Sequence, residues 1–522
     1  MARGATILQR VEYVTPVEIR IETRQVRARA GRFEQTVFGL FAILLVLLTG
    51  RHEMWRDELQ AWLIARDTHS IPQLVHALSY EGHPALWYLL LWIPAHFSPN
   101  PVSMQVINVI IALVTAWIIL SAVKLPRAER VLLIFSYFVF FQYGVTARSY
   151  ELAVLLLVAA ARCLMGERQH RWLAILLLGL SINTHVFAAP VAVVLAFWAF
   201  YLVKLRTWRD AGRMLLDREF LGAFLALLLS GGVSLATVWP AKDISRVYSV
   251  QPTIGGNFLA TLGMVWYTFI PQLPSHLQIL LKAPLKSHID NCVFSVFMVI
   301  LAVSSFRTAA ARGLVVAVTI LEIIFMALTV GRPDVYQFGL VFSAFIIGLL
   351  LDAYTSPGEA GLPWMPRKMA VLVIYGLLSA QVLCAAEVSV LDWMRPYSCA
   401  EETALWLKKN HLSQNPLVLQ PSELTTAILG YLERPSAYYP SCRCFGSYEV
   451  RDASRRIHRM ANAEDLKIAR GRSPLPVILI SNQELKPAYC RSLGLAEIYT
   501  SPGNPYQHDE DFHVYEQLHP RD

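Results

Sequence analysis

Long apolar runs separated by short polar stretches dominate the first three quarters of the chain. The first run, Phe33–Gly50, follows a 32-residue segment with seven arginines: Arg3, Arg10, Arg20, Arg24, Arg27, Arg29 and Arg32. Further runs cover roughly 103–123, 130–146, 150–166, 172–186, 187–204, 219–239, 289–306, 313–331, 335–352 and 369–390. A bilayer-spanning helix needs about 20 residues, so the pattern predicts a polytopic α-helical membrane protein with about 11 crossings. Phe33–Gly50 lacks a small-residue cleavage site and is long for a signal-peptide core, which makes it an uncleaved anchor. Two apolar stretches fit no crossing. His83–Phe97 is short and interrupted by Pro94, and is predicted to lie at the interface. Residues 256–286 are proline-broken and are predicted to be re-entrant or surface-lying.

After Leu391 the pattern changes to alternating helix and strand periods. Glu401–Lys409 reads as a helix, Leu417–Gln420 as a strand, and Ser422 as the cap of a helix running to Leu432. Arg451–Arg470 is amphipathic, Pro476–Ile480 is an apolar strand and Phe512–Glu516 a last one. These elements predict a small α/β layer domain. No Gly-rich loop follows a strand, so nucleotide binding there has no support.

Composition agrees. Of 522 residues, 55% are apolar and 16% charged, against about 25% charged in an average globular protein; the mean hydropathy is +0.43. A cytosolic enzyme, a disordered chain and a disulfide-dense mini-protein are excluded. Charge is concentrated at the end: residues 391–522 hold 31 charged side chains, the preceding 390 residues only 53. The chain thus divides into a basic cytoplasmic segment (1–32), a membrane body (33–390) and a soluble extracytoplasmic domain (391–522). The net charge of +8 sits mainly in membrane-flanking loops and speaks for lipid headgroups; nucleic acid is a poor partner. Lys124/Arg127/Arg130, Arg168/Arg171, Lys204/Arg206/Arg209/Arg213, Arg307/Arg312 and Arg367/Lys368 mark cytoplasmic loops, whereas the turn near 184–187 has no cation. The bias predicts a multi-pass protein of a cell (inner) membrane with its N-terminus cytoplasmic. Loops 51–102 and 240–288 and the domain after Leu391 then share the outer side.

The first outer loop carries the chemistry. Trp55, Leu59, Trp62 and Leu63 repeat at helical spacing, and Asp57 and Glu58 stand at the start of that amphipathic helix. Asp57 either caps the helix, with Gln60 completing a capping box, or takes a proton from a hydroxyl or holds a cation just outside the bilayer. The loop continues Tyr80-Glu81-Gly82-His83-Pro84. Further on, Ala147-Arg148-Ser149-Tyr150-Glu151 places an arginine at the outer membrane face. An arginine there is costly unless paired, with Glu151 for example, or serving an anion such as a lipid phosphate.

An acidic pair after the first transmembrane helix, a His-Pro-x-Leu-x-Tyr interfacial helix and an Arg-x-Tyr at a later helix start together resemble the GT-C superfamily of membrane glycosyltransferases. The resemblance is nearest to the bacterial protein mannosyltransferase-like group (glycosyltransferase family 39 type) and covers residues 33 to about 390. It implies transfer of a sugar from a polyprenyl-phosphate donor to an extracytoplasmic acceptor (glycan, lipid or protein), with inversion. By position Asp57 resembles the catalytic base, Glu58 the second member of its pair, and Arg148 the donor-phosphate contact, with Arg332 as a candidate second contact. Where some relatives place a second aspartate, this chain has Ser149, Tyr150 and Glu151. That departure speaks against a metal held by two aspartates and leaves no certain cofactor; were a divalent cation, Mg or Mn, used, Asp57 and Glu58 would hold it. The rival classes are a flippase or transporter of lipid-linked sugars and a glycan polymerase or ligase.

His83, Tyr150, Glu151, Lys242 and Arg246 are candidate substrate contacts, each with a plain alternative as a helix start, packing residue or solvated charge. His185 reads more readily as a packing histidine. Cys399, Cys442, Cys444 and Cys490 fall in the soluble domain, where an oxidising space predicts at least one disulfide. Cys399 and Cys490 are the longer-range candidates, because a Cys442–Cys444 link closes a very short loop.

Overall fold

The structure, a computed structural model, describes residues 31–165, 170–204, 217–244, 254–271, 287–330, 333–354, 364–453, 455, 459–503 and 509–518. The apolar runs fold as a helical bundle. Helix α1 (Arg32–Thr49) leads into three short helices, α2 (Arg56–Asp67), α3 (Ile71–Leu78) and α4 (Ala85–Ala95). Helix α5 (Val102–Leu120) returns through the bundle to α6 (Arg127–Ile134) and a π-helical turn, Tyr137–Val145. Then come α7 (Ser149–Met165), α8 (Arg171–Ile182), α9 (Ala188–Lys204), α10 (Arg218–Val238) and the short α11 (Ile254–Leu262). The bundle closes with α12 (His288–Ser304), α13 (Ala309–Thr329), α14 (Gly339–Tyr354) and α15 (Arg367–Met394). Among the described residues seven segments are long and apolar enough to cross a membrane, and shorter apolar helices include α8 and α12. The chain is a multi-pass membrane protein. Leu40, Leu44, Leu47, Leu225, Leu228 and Leu372 stay exposed on the bundle surface, as expected where lipid rather than water is the solvent.

The segment His83–Phe97 forms only the eleven residues of α4, with Pro94 in its last turn, too short for a crossing. Of 256–286, the described part is α11 and a 3-10 turn, Val265–Thr268; residues 272–286 lie outside the described residues.

Beyond α15 the chain builds α16 (Ala400–Lys409), β1 (Leu417–Gln420), α17 (Ser422–Thr425), α18 (Ile428–Leu432), β2 (Ala437–Tyr439) and β3 (Cys444–Gly446). It ends with α19 (Ala463–Arg470), β4 (Ile478–Ser481), α20 (Pro487–Leu493), β5 (Leu495–Thr500) and β6 (His513–Gln517). One six-stranded sheet runs β3-β2-β1-β4-β6-β5. Strand β1 pairs in parallel with β2 and β4, and β6 lies antiparallel to β4 and β5.

Three local expectations need correction. The predicted helix Arg451–Arg470 forms only over Ala463–Arg470, because Asn462 and Asp465 exchange backbone N–H bonds (3.0 and 2.9 Å) that start the helix there. Upstream, Asp452 bridges instead to Ile244. The helix from Ser422 to Leu432 is two short turns. The disulfide joins Cys442 to Cys444, with Cα atoms 5.2 Å apart across the β2–β3 turn; Cys399 and Cys490 are free thiols. Arg443, with φ +53°, lets the chain reverse between the two cysteines.

The sheet and the segment between α1 and α5 share one hydrophobic core. Leu59, Trp62 and Leu63 of α2 and Trp87 and Leu91 of α4 pack in a cluster with Leu417, Leu419, Tyr439, Ile478, Ile480 and Val514. Each such buried side chain contributes about 1.5–3 kcal/mol. Gly430 lets α18 press against α2: a Cβ there would meet Leu59 Cδ2 at 2.8 Å.

Candidate active site

Helix α2 begins at Arg56, so Asp57 does not cap it. Trp55 precedes the helix, and the Trp55 N–H donates to Glu58 Oε2 at 3.3 Å. Glu58 lies three residues on and reaches back along the axis, which leaves the Asp57 side chain free of the helix end. The Arg56 N–H donates to Glu510 Oε1 at 3.1 Å, so the start of α2 is held by a carboxylate from the far end of the chain.

Arg148 arrives by a different route. The π-helical turn ends at Val145, and buried Asn108 of α5 donates to the carbonyls of Tyr143 and Gly144 at 2.8 and 2.9 Å. The Ala147 N–H donates to Glu58 Oε1 at 2.6 Å. The connection is thereby fixed so that Arg148 Nη2 lies 3.2 Å from Asp57 Oδ2. Its guanidinium packs over the rings of Tyr336 (4.7 Å), Tyr150 (5.4 Å) and Trp55 (5.6 Å). Arg148 is only 8% exposed, and among the described residues its Nη1 has no hydrogen-bond partner. Burial works against the charge, but Asp57, together with Tyr336 and Tyr150 beside it, outweighs that and holds the guanidinium protonated.

The pair faces a cavity of about 510 Å³. Asp57, Gln60, Glu81 and His83 of the segment between α1 and α5 form one wall, with Arg148 and Tyr336 beside them. Glu423, Glu449, Arg451 and Asp509 of the sheet region form the other. Gln60 stitches the walls together: its Nε2 donates to Glu81 Oε1 (2.8 Å) and the Glu449 carbonyl (2.7 Å), and its Oε1 accepts the Glu449 N–H (3.0 Å). Arg56 Nη1 donates to Asp509 Oδ2 at 2.5 Å. Burial pushes the Glu510 carboxyl up to about 8 and that of Glu449 to about 7, against the pull of Arg56 and Arg455. Burial, then the neighbouring Arg148 charge, push His83 down to about 4, so it is neutral near pH 7.

The sequence-derived residues separate clearly. Asp57, Arg148 and His83 line the cavity, and Tyr150 lies under the guanidinium. His185 is 1% exposed with its ring 4.0 Å from that of Tyr150. Glu151 is fully buried on α7 beside Thr115, lines no part of the cavity, and is not the partner of Arg148. Lys242 is exposed and away from the cavity. Arg246 and Arg332 lie outside the described residues.

Glu58 is fully buried and turned from the cavity, both oxygens engaged by Ala147, Trp55 and His52. Asp57 and Glu58 therefore do not converge, whereas Mg or Mn needs oxygen donors directed at one point. Among the described residues no group of three or more His, Cys, Asp or Glu side chains could hold a metal ion. Gln60, Glu81, Tyr336 and the sheet-region residues Glu423, Glu449, Arg451 and Asp509 had no signal as site residues in the sequence. Their neighbourhood is created only when the sheet docks on α2.

No protein-family model and no curated protein matches the chain. Solved structures that resemble it include the following two. One is ArnT from Cupriavidus metallidurans bound to undecaprenyl phosphate, with 12% identity, TM-score 0.47, and coverage of 93% of this chain and 98% of that one. The other is arabinofuranosyltransferase AftD from Mycobacteria, with 13% identity, TM-score 0.39, and coverage of 93% of this chain and 42% of that one.

Proposed function

We propose that this chain is a GT-C-type membrane glycosyltransferase. It moves a sugar from a polyprenyl-phosphate donor to an acceptor hydroxyl on the outer side of the membrane, with its N-terminus cytoplasmic. The carrying observation is the Asp57–Arg148 pair, 3.2 Å apart on the wall of a polar cavity, with one guanidinium nitrogen unsatisfied among the described residues. A buried arginine with an unused donor is costly unless a ligand supplies the acceptor, and phosphate oxygens suit a guanidinium.

The donor phosphate binds Arg148 and draws it from Asp57, whose carboxylate is then free to accept the acceptor proton. The acceptor oxygen attacks the anomeric carbon as the bond to the phosphate oxygen breaks. The proton goes to Asp57, polyprenyl phosphate leaves with the bonding pair, and a single displacement inverts the anomeric centre. Arg148 neutralises the charge that grows on the leaving phosphate. Arg332 is the candidate second phosphate contact, and Glu423, Glu449 and Arg451 make up the acceptor wall. Glu58 is taken up by Ala147, Trp55 and His52, so the proton falls to Asp57 alone.

The test is turnover in proteoliposomes offered a panel of polyprenyl-phosphate sugars and a crude membrane extract as acceptor source. Release of polyprenyl phosphate by wild type and not by Asp57→Asn is the expected result. Movement of intact donor between leaflets by both proteins, without release, would replace the transferase by a flippase.

A further inference from the structure

The residue just before this site, His52, is built into a fully buried chain of charge that the reaction as written does not use. His52 Nδ1 lies 3.0 Å from Asp392 Oδ2 at the end of α15, and its Nε2 lies 3.0 Å from Glu58 Oε2 on α2. All three side chains are inaccessible to solvent. Glu58 passes the constraint on through its other oxygen to the Ala147 N–H at 2.6 Å. Its two ends are thus Asp57, the next residue before Glu58, and Arg148, the next residue after Ala147. Tyr397, which follows α15, packs its ring 4.9 Å from the imidazole, and the Phe141 ring lies 6.4 Å away on the π-helical turn.

We infer that His52 is a positioning residue: as an imidazolium donating to both Asp392 and Glu58, it locks Glu58 onto Ala147 and so sets the Asp57–Arg148 separation. The inference rests on the proposed reading only in taking those two residues as the reacting pair. Replacing one partner in such a chain leaves a buried charge uncompensated, so the brace fails as a unit. The charged groups facing His52 are Asp392 of α15, Glu58 of α2, Glu53 of the connection between α1 and α2, and Glu401 of α16. Burial opposes its proton, but Asp392 and Glu58 outweigh that and raise it to about 10. With a folded value above the unfolded one, the brace is present through the neutral range and is lost as pH rises through the folded value. Removing Asp392's charge moves that loss down toward neutral pH.

The experiment is hydrogen exchange on the full-length protein in nanodiscs, read on the peptide spanning 146–148. His52→Ala is expected to speed exchange there about tenfold, with α10 unchanged as the internal control. Corrected for intrinsic rates, protection of this peptide stays level from pH 6 to 9 in wild type. In Asp392→Asn it falls as pH rises. Should His52→Ala fail to fold, His52→Gln, which keeps one donor, is read the same way. Unchanged exchange in the His52 variant, or a level profile in Asp392→Asn, would overturn the inference. A second arm titrates undecaprenyl phosphate: His52→Ala should bind it about tenfold more weakly. If wild type does not bind this probe, the proposed function falls, while the exchange result still decides the role of His52.

Discussion

At the end of α14 away from Tyr336, a second cavity of about 390 Å³ is lined by Lys124, Glu129, Arg307, Asp352 and Arg367. The helix between the two ends is about 24 Å long at 1.5 Å per residue. Both cavities hold an arginine–aspartate pair, and the pairs differ in what else they do. Asp352 accepts the Arg307 N–H at 2.6 Å, the Thr308 N–H at 2.9 Å and the Thr308 hydroxyl at 2.6 Å. It fastens the start of α13, and Arg307 returns a bond to its carbonyl. Asp57 caps nothing, and among the described residues Arg148 keeps a buried nitrogen unpaired. A pair whose hydrogen bonds are used up by its own backbone is a fastening; one held beside a cavity with capacity to spare is placed to meet a ligand.

Isosteric neutralisation breaks this contrast most sharply. Asp57→Asn should lower turnover per folded molecule by about 10²–10⁴-fold, whereas Asp352→Asn should leave turnover per folded molecule as in wild type. Equal losses in the two variants would erase the distinction. The cations come next. Arg148→Ala should weaken undecaprenyl phosphate binding by about 10–100-fold, measured by titration in detergent, while Arg307→Ala leaves it unaltered.

Stability should show the reverse order. Asp352→Asn is expected to cost about 1–3 kcal/mol because the Thr308 donors lose a charged acceptor, and a thermal melt detects it. The smallest effect concerns His83. Its folded value of about 4 lies below the unfolded 6.5, so the unfolded chain binds the extra proton between those values. Stability from His83 is complete above the unfolded value and declines as pH falls toward the folded one. Melts of wild type and His83→Gln should therefore draw together between pH 7 and 5; a constant gap would show that His83 is not held neutral.

Part of the candidate cavity lining was visible in the sequence. Asp57 and Arg148 stand out because charges at the edge of apolar helices are expensive and few. His83 stands out because it opens a helix at Pro84. Glu58 looked equivalent to Asp57, and nothing in an adjacent pair says which carboxylate turns inward. That depended on His52 and Asp392, which are 340 residues apart. In the sheet region β1, β4 and β6 were legible within one or two residues as apolar or alternating runs. Strands β2, β3 and β5 are too short or too mixed to rise above loop. Pairing with β1 and β6 supplies what their own sequence lacks.

By itself the sequence determined a bundle of membrane-length helices, a charged C-terminal region and a short set of polar residues stranded at helix ends. Each of these follows from local terms: hydrophobic length, charge cost and helix period. Only the tertiary structure decided that the sheet shares a core with α2, that Gln60 joins Glu81 to Glu449, and that Cys442 pairs with Cys444. It also turned Asp57 toward Arg148 and Glu58 toward Ala147. Those outcomes depend on which distant groups satisfy buried donors and acceptors, and such accounting closes only when the whole chain is packed.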